Sequence, residues 1–264
     1  MPLFSRRFAG FSRRLAGVVA ARVLCTGLVA RPADAIVGGS PAAPPPWLAA
    51  IGTPAFLVRP SGQFCGGVLV ASDKVVTAAH CVNFLRQVPS LLSAVFGRAD
   101  LSKKDGESVQ VKKVWVHPAF RETTFQGETV EHSDVAVLTL TRPVLNRLPL
   151  PVFGRYDTYP ANSSGRVLGW GTTSEKDLFN MRLRDATVPL VSDTRCAAAY
   201  GRGTFDAKDM VCAGSPQADT CQFDSGGPLI LQGRLAALTS WAYGCARPGY
   251  PGVYTRLSAF TLPL

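Results

Sequence analysis

Charge is scarce in this chain: Asp, Glu, Lys and Arg together make up 17% of its 264 residues. So small a fraction does not suit long, solvated surface helices. Heptads, internal repeats and low-complexity blocks are missing, which leaves coiled coils and solenoids without support. No Lys/Arg-rich run is interleaved with aromatics, so no nucleic-acid partner is expected. Cys-x-x-Cys spacing and close Cys/His clusters are also lacking, so neither a metal nor another cofactor is expected. The one extended apolar run, Leu15 to Ala30, is too short and too interrupted by Arg22 to cross a membrane, and no stable membrane anchor is expected. What is plentiful is glycine (25) and proline (20), the composition of many short strands joined by tight turns.

The formal charge of +10 divides unevenly. Six arginines (Arg6, Arg7, Arg13, Arg14, Arg22, Arg31) face only Asp34 within the first 35 residues, so half of the excess belongs to this leader. A basic start, an apolar middle and Ala33-Asp34-Ala35 have the form of an export signal with its peptidase site. Residues 1–35 are therefore expected to be removed and the rest secreted to the extracellular space. Export implies an oxidising compartment and changes how cysteines are read. Cys25 would leave with the leader, and six remain: Cys65, Cys81, Cys196, Cys212, Cys221 and Cys245. An even set can pair completely, although spacing leaves the connectivity open.

Short apolar segments with β-branched content recur between turn signals: Ala49 to Ile51, Gly67 to Val70, Val109 to Val116, Val135 to Leu140, Arg166 to Trp170, Leu229 to Leu231 and Leu235 to Trp241. One short helix fits Val191 to Tyr200, with Ser192 or Asp193 as its cap. The pattern is all-β and does not choose between a barrel and a sandwich.

Three stretches carry chemistry. Asp219-Thr220-Cys221-Gln222-Phe223-Asp224-Ser225-Gly226-Gly227-Pro228 places a hydroxyl among glycines that let the backbone approach a ligand closely. His80 ends the apolar run of Val75-Val76-Thr77-Ala78-Ala79, where a neutral imidazole can take a proton from a serine and pass it on. Asp134 opens an apolar strand, and a buried carboxylate needs a donor such as an imidazole N–H. Taken singly, each has a structural reading: a Gly-Pro turn, a packed histidine, a strand-edge aspartate. His117 and His132 have no comparable framing and read as surface or packing residues.

Together with Ile36-Val37-Gly38-Gly39, Gly169-Trp170-Gly171 and Pro251-Gly252-Val253-Tyr254, these motifs stand in an order and at spacings that resemble the chymotrypsin-like serine proteases. The closer resemblance, over Ile36 to Arg256, is to secreted bacterial trypsins. It implies two packed antiparallel β-barrels in residues 36–264, the first over about 47–145 and the second over about 155–258, with the active site in the cleft between them. It further implies a catalytic set of His80, Asp134 and Ser225, an oxyanion hole from the backbone N–H groups of Phe223 and Ser225, and an ion pair between a freed Ile36 amine and Asp224. Asp219 would sit at the base of a substrate pocket walled by Ser240, Trp241, Ala242 and Gly252, selecting arginine or lysine before the scissile bond. Disulfides would join Cys65 with Cys81, Cys196 with Cys212, and Cys221 with Cys245. The implied partners are protein or peptide substrates and protein protease inhibitors, with the enzyme a monomer.

The chain departs from the family pattern at several points. Phe223 stands where the family has glycine, and its Cβ and ring are expected to reduce or alter activity. Ala242 adds a methyl at a wall position usually given to glycine. Ala35 replaces the usual basic residue before Ile36, so signal peptidase is expected to release the Ile36 amine directly. After Arg256 the usual C-terminal helix is expected to be missing or replaced. Phe223, Ala35 and the short C-terminus support an alternative function, a weak or inactive protease homologue that binds proteins or bacterial surfaces.

Overall fold

A computed structural model describes residues 36–59, 62–177, 179–201 and 203–264; the expected leader, with Cys25 and its cleavage site, lies outside them. The strands are β1 (Ser40–Pro41), β2 (Leu48–Gly52), β3 (Gln63–Ala71), β4 (Lys74–Thr77), β5 (Ser93–Phe96) and β6 (Glu107–Val116). They continue with β7 (Arg121–Phe125), β8 (Glu128–His132), β9 (Ala136–Leu140), β10 (Ser164–Gly169) and β11 (Arg184–Val191). The last four are β12 (Met210–Ala213), β13 (Pro228–Leu231), β14 (Arg234–Trp241) and β15 (Gly252–Arg256). Two α-helices are described, α1 (Ala79–Val82) and α2 (Asp193–Tyr200).

The strands close into two antiparallel barrels. The first runs in the order β2-β3-β4-β9-β6-β5. The second runs β11-β10-β13-β14-β15-β12 and closes through the β11–β12 pairing, with β1 added at the edge of β11. A hairpin, β7–β8, follows β6 and packs Phe125 and Val130 into a cluster with Tyr200, Met210 and Trp241. Closure removes the exposed strand edges that an open sheet would present. Every strand forecast from periodicity is present; most gain a residue or two at an end and β3 gains four at its start, whereas β9 begins one residue later and β10 ends one residue earlier than the apolar runs suggest. The helix begins at Asp193 with Ser192 as its cap, the Ser192 hydroxyl accepting the Arg195 N–H.

Each barrel has its own apolar interior. Leu69, Val75, Leu92, Phe96, Val111 and Leu138 fill the first, and Val167, Val188, Leu190, Val211, Leu229 and Tyr254 the second. A third cluster of Val68, Val76, Val135, Val137, Leu235 and Leu238 lies where β3, β4 and β9 meet β14. This seam fixes the spacing between the barrels. At its edge the Gly66 N–H donates to the Ser225 carbonyl at 2.8 Å, and a Cβ on Gly66 would come within 2.9 Å of Gly227 Cα. Three disulfides join Cys65 with Cys81, Cys196 with Cys212, and Cys221 with Cys245. The first ties β3 to α1, the short helix that carries His80. After β15 the chain makes a 3-10 turn over Leu257–Ala259, and Leu257, Phe260 and Leu262 pack against the seam.

The two interiors make core truncation costly. Leu138→Ala, at a fully buried position of the first barrel, should lower unfolding free energy by about 2–5 kcal/mol in denaturant titration. Leu148→Ala, where the side chain is 78% exposed, should change it by less than about 0.5 kcal/mol. Equal losses would mean that the first barrel is not packed as described.

Candidate active site

Asp134 lies two residues before β9 and is 1% exposed, so its carboxylate must find donors within the protein. It finds three. His80 Nδ1 lies 2.8 Å from Oδ2, the His80 backbone N–H donates to Oδ1 at 2.9 Å, and the Ser240 hydroxyl donates to Oδ2 at 2.6 Å. Burial alone would raise the Asp134 pKa, but His80 and Ser240 hold it below the usual carboxylate range. Burial likewise works against a charged His80, and the facing Asp134 carboxylate outweighs it, so the imidazolium is favoured more than in water. The ring is therefore held in one orientation, with Nε2 3.6 Å from the Cys81 sulfur.

Ser225 sits in a turn that only small residues permit. Gly226 has φ +73°, and a Cβ there would meet Thr77 Oγ1 at 2.3 Å and the Gly66 carbonyl at 2.6 Å. Ser225 and His80 line one cavity, although a hydrogen bond from Ser225 Oγ to His80 Nε2 is not among the described contacts. Such bonds are often long without substrate and tighten when it binds.

The peptide preceding this turn is held from several sides. Thr172 N–H donates to the Gln222 carbonyl at 2.9 Å, and Gln63 Nε2 donates to the Phe223 carbonyl at 3.1 Å. Phe223 has φ +72°, the left-handed region that the family's glycine reaches freely. A phenylalanine there costs about 1–2 kcal/mol. Its ring lies beneath a buried cation: Arg59 Cζ is 4.5 Å from the ring centroid, and the Phe56 ring is 6.4 Å away. Arg59 is 2% exposed and donates to the carbonyls of Trp170, at 2.8 Å, and Asn180. Burial lowers its pKa to about 10 even though Asp224 and Asp177 work the other way. Phe223 is not among the residues lining either cavity that opens at Ser225.

One of those cavities, about 420 Å³, is walled by Thr220, Cys221, Ser225, Ser240, Trp241 and Ala242, among others. Asp219 is fully buried next to the wall residue Thr220 and accepts the N–H groups of Thr220 at 2.9 Å and Ala246 at 3.1 Å. Burial lifts its pKa to about 7 in spite of these donors. Gly252 leaves it room, since a Cβ would lie 2.7 Å from Asp219 Oδ1. The Cys221–Cys245 disulfide joins two wall residues. Asp224 is also fully buried and accepts the N–H groups of Gly171 at 2.8 Å and Cys221 at 3.1 Å, with burial again lifting it to about 7. Ile36 is fully buried in the second barrel's core and Val37 bridges Asp219, but an Ile36–Asp224 contact is not among the described ones.

Cys65, His80 and Cys81 come within ligand distance of one another, but both sulfurs are committed to the disulfide. His132 is buried with Nε2 3.0 Å from the Thr123 hydroxyl, and His117 packs on Trp115 and Phe260. Neither reaches the site. Sequence reasoning missed Arg59, Gln63 and Thr172. The available signal was Phe223 itself, since a bulky residue in a glycine position needs something to hold it.

The trypsin family model matches residues 36–262. Trypsin of Saccharopolyspora erythraea is 45% identical over 208 residues, covering 77% of this chain and 87% of its own. Trypsin-1 of Astacus astacus is 38% identical, over 75% of this chain and 85% of its own. Among solved structures, neuropsin, a serine protease expressed in the limbic system of mouse brain, aligns with a TM-score of 0.73 at 32% identity, covering 86% of this chain and 96% of its own.

If Arg59 holds Phe223 in its left-handed conformation, the two residues are energetically coupled. In a double-mutant cycle read by urea unfolding, Arg59→Met should cost about 1 kcal/mol more in the Phe223 background than after Phe223→Gly. Identical costs in the two backgrounds would show that Arg59 acts only through Trp170 and Asn180.

Proposed function

The chain belongs to the trypsin family of serine proteases, and we propose that it is a secreted enzyme cleaving after arginine or lysine, with Ser225, His80 and Asp134 as its catalytic set. A trypsin-like serine endopeptidase hydrolyses peptide bonds. The observation that carries the residue assignment is the Asp134 carboxylate, which binds His80 through both the ring and the backbone while Ser240 caps its remaining face.

In this reading Ser225 Oγ attacks the substrate carbonyl as His80 Nε2 takes its proton. The imidazolium so formed is stabilised by Asp134, and it then protonates the leaving amine as the acyl-enzyme forms. Water repeats the cycle in reverse. The N–H groups of Phe223 and Ser225 hold the oxyanion, each donor contributing about 3–4 kcal/mol in comparable sites. The bond from the Thr172 N–H to the Gln222 carbonyl supports that assignment, because in a trans peptide it turns the Phe223 N–H to the opposite side.

Asp219 supplies the negative charge for a basic side chain lying between Ser240-Trp241-Ala242 and Gly252. Asp224 completes the site once cleavage after Ala35 frees the Ile36 amine, giving its buried carboxylate a cation. Secretion is supported by the leader and by the three disulfides. Among the described residues no helix is long and apolar enough to cross a membrane.

Labelling with a fluorophosphonate together with hydrolysis of a small arginyl ester tests the assignment: Ser225→Ala should abolish both. Asp219→Ser should lower kcat/KM on the arginyl ester by at least on the order of 10²-fold, because a buried cation would lose its partner. Asp219 binds a cation only when ionised. Benzamidine affinity should therefore rise by about tenfold per pH unit up to about pH 7 and flatten above it. A flat calorimetric profile from pH 5 to 8 would remove Asp219 as the recognition group.

A further inference from the structure

Ser133 stands between the end of β8 and the buried Asp134 with φ +50°, in the left-handed region that a serine rarely enters. The turn it opens is tight. Its carbonyl accepts the Val135 N–H at 2.9 Å, closing a three-residue turn with Asp134 at the centre. Where the Asp134 carboxylate points therefore depends on the backbone angles of Ser133.

A residue other than glycine keeps such a conformation only when its surroundings impose it. The group that does so here comes from the second barrel. Asp209, the residue before β12, accepts the Ser133 backbone N–H at 2.7 Å through Oδ2, and the Ser133 hydroxyl lies 3.3 Å from the same oxygen. The other carboxylate oxygen, Oδ1, is buried and makes no hydrogen bond among the described residues. Asp209 is itself fastened to β15. Its backbone carbonyl accepts the Arg256 N–H at 2.8 Å, and Arg256 Nε donates to the neighbouring Met210 carbonyl at 2.9 Å. From the same strand the Thr255 hydroxyl donates to the Asp134 carbonyl at 3.0 Å. The second barrel thus grips the turn at two points, and the bond from Ser133 to a carboxylate is the stronger grip because its acceptor is charged.

We propose that Asp209 is a positioning residue for peptide hydrolysis: it holds Ser133 in its left-handed conformation and thereby aims the Asp134 carboxylate at His80. Its described side-chain hydrogen bonds go to Ser133 alone, so its effect on the reaction passes through that turn. This rests on the reading of Ser225, His80 and Asp134 as the catalytic set.

The test measures kcat and KM on a fluorogenic arginyl amide, together with the rate at which Ser225 takes a fluorophosphonate, a reaction that needs no substrate side chain. Asp209→Ala should lower kcat and the labelling rate by about 10- to 100-fold, the scale of a misplaced catalytic group, and leave KM within about twofold. Glycine adopts a positive φ without help. In a Ser133→Gly background the same substitution should therefore cost less than about threefold. Asp209→Asn keeps an acceptor of the same shape without the charge and should lose about threefold when Ser133 is present; it carries the comparison if Asp209→Ala does not fold. Unchanged rates in both Asp209 variants, a loss confined to KM, or equal losses in the two backgrounds overturn this inference and leave the catalytic set standing. A parent enzyme that neither hydrolyses the amide nor takes the fluorophosphonate overturns the catalytic set and this inference with it.

Discussion

Burying the Asp134 carboxylate carries a desolvation cost that only donors from both barrels offset. His80, on the short helix that follows β4, supplies a ring nitrogen and a backbone N–H from the first barrel. Ser240, on β14, supplies a hydroxyl from the second, and the Thr255 hydroxyl of β15 donates to the Asp134 backbone carbonyl at 3.0 Å. A carboxylate served from one barrel alone would be left partly unsatisfied whenever the other moved. The interaction that orients His80 is thus also one that holds the barrels in register. The apolar seam of Val68, Val76, Val135, Leu235 and Leu238 gives the contact its area without fixing a direction. The hydrogen bonds of Asp134 supply the direction.

The second barrel carries a contrasting pair of charges. Asp219 and Asp224 are five positions apart, both fully buried, and both lifted by burial from the ordinary value of 3.8 to about 7. Each binds a proton more readily in the folded protein than in the unfolded one. Their contribution to stability therefore declines as pH rises from about 4 to about 7, the reverse of a salt-bridged aspartate. Arg59 offsets part of this at Asp224. A cation brought to either carboxylate would meet a group whose desolvation has already occurred. Glycines at 169, 171, 214 and 252 keep these two carboxylates within contact distance of the backbone.

Legibility in the sequence followed burial. Val135 to Leu140 and Leu235 to Trp241 read as strands because continuous apolar runs line closed barrels. Ser93–Phe96 and Met210–Ala213 are too short for a period to declare itself, and β7–β8 is mostly polar, with Phe125 and Val130 its only large apolar residues. Periodicity left barrel and sandwich undecided, because closure depends on pairings such as β11–β12 that no local pattern encodes. His80, Asp134 and Ser225 stood out through their motifs, and the disulfide pairing came with the family resemblance. Arg59 carried no motif. It lies before a proline in a loop, 164 positions from Phe223, and only the fold brings the two together.

Phe223 is where local preference and global structure disagree most, and magnitudes show how the disagreement is settled. Holding a phenylalanine at φ +72° costs about 1–2 kcal/mol. A desolvated cation over an aromatic face contributes about 2 kcal/mol, and the Gln63 bond to the Phe223 carbonyl adds about 1 kcal/mol more. The opposing terms are of similar size, so the left-handed peptide persists without the glycine that ordinarily permits it. The outcome depends on Arg59 being buried: in water the same cation would contribute about half as much or less, and the ring would have little reason to stay beneath it. The burial that lowers the Arg59 pKa is therefore the condition under which a bulky residue keeps a glycine's conformation beside Ser225.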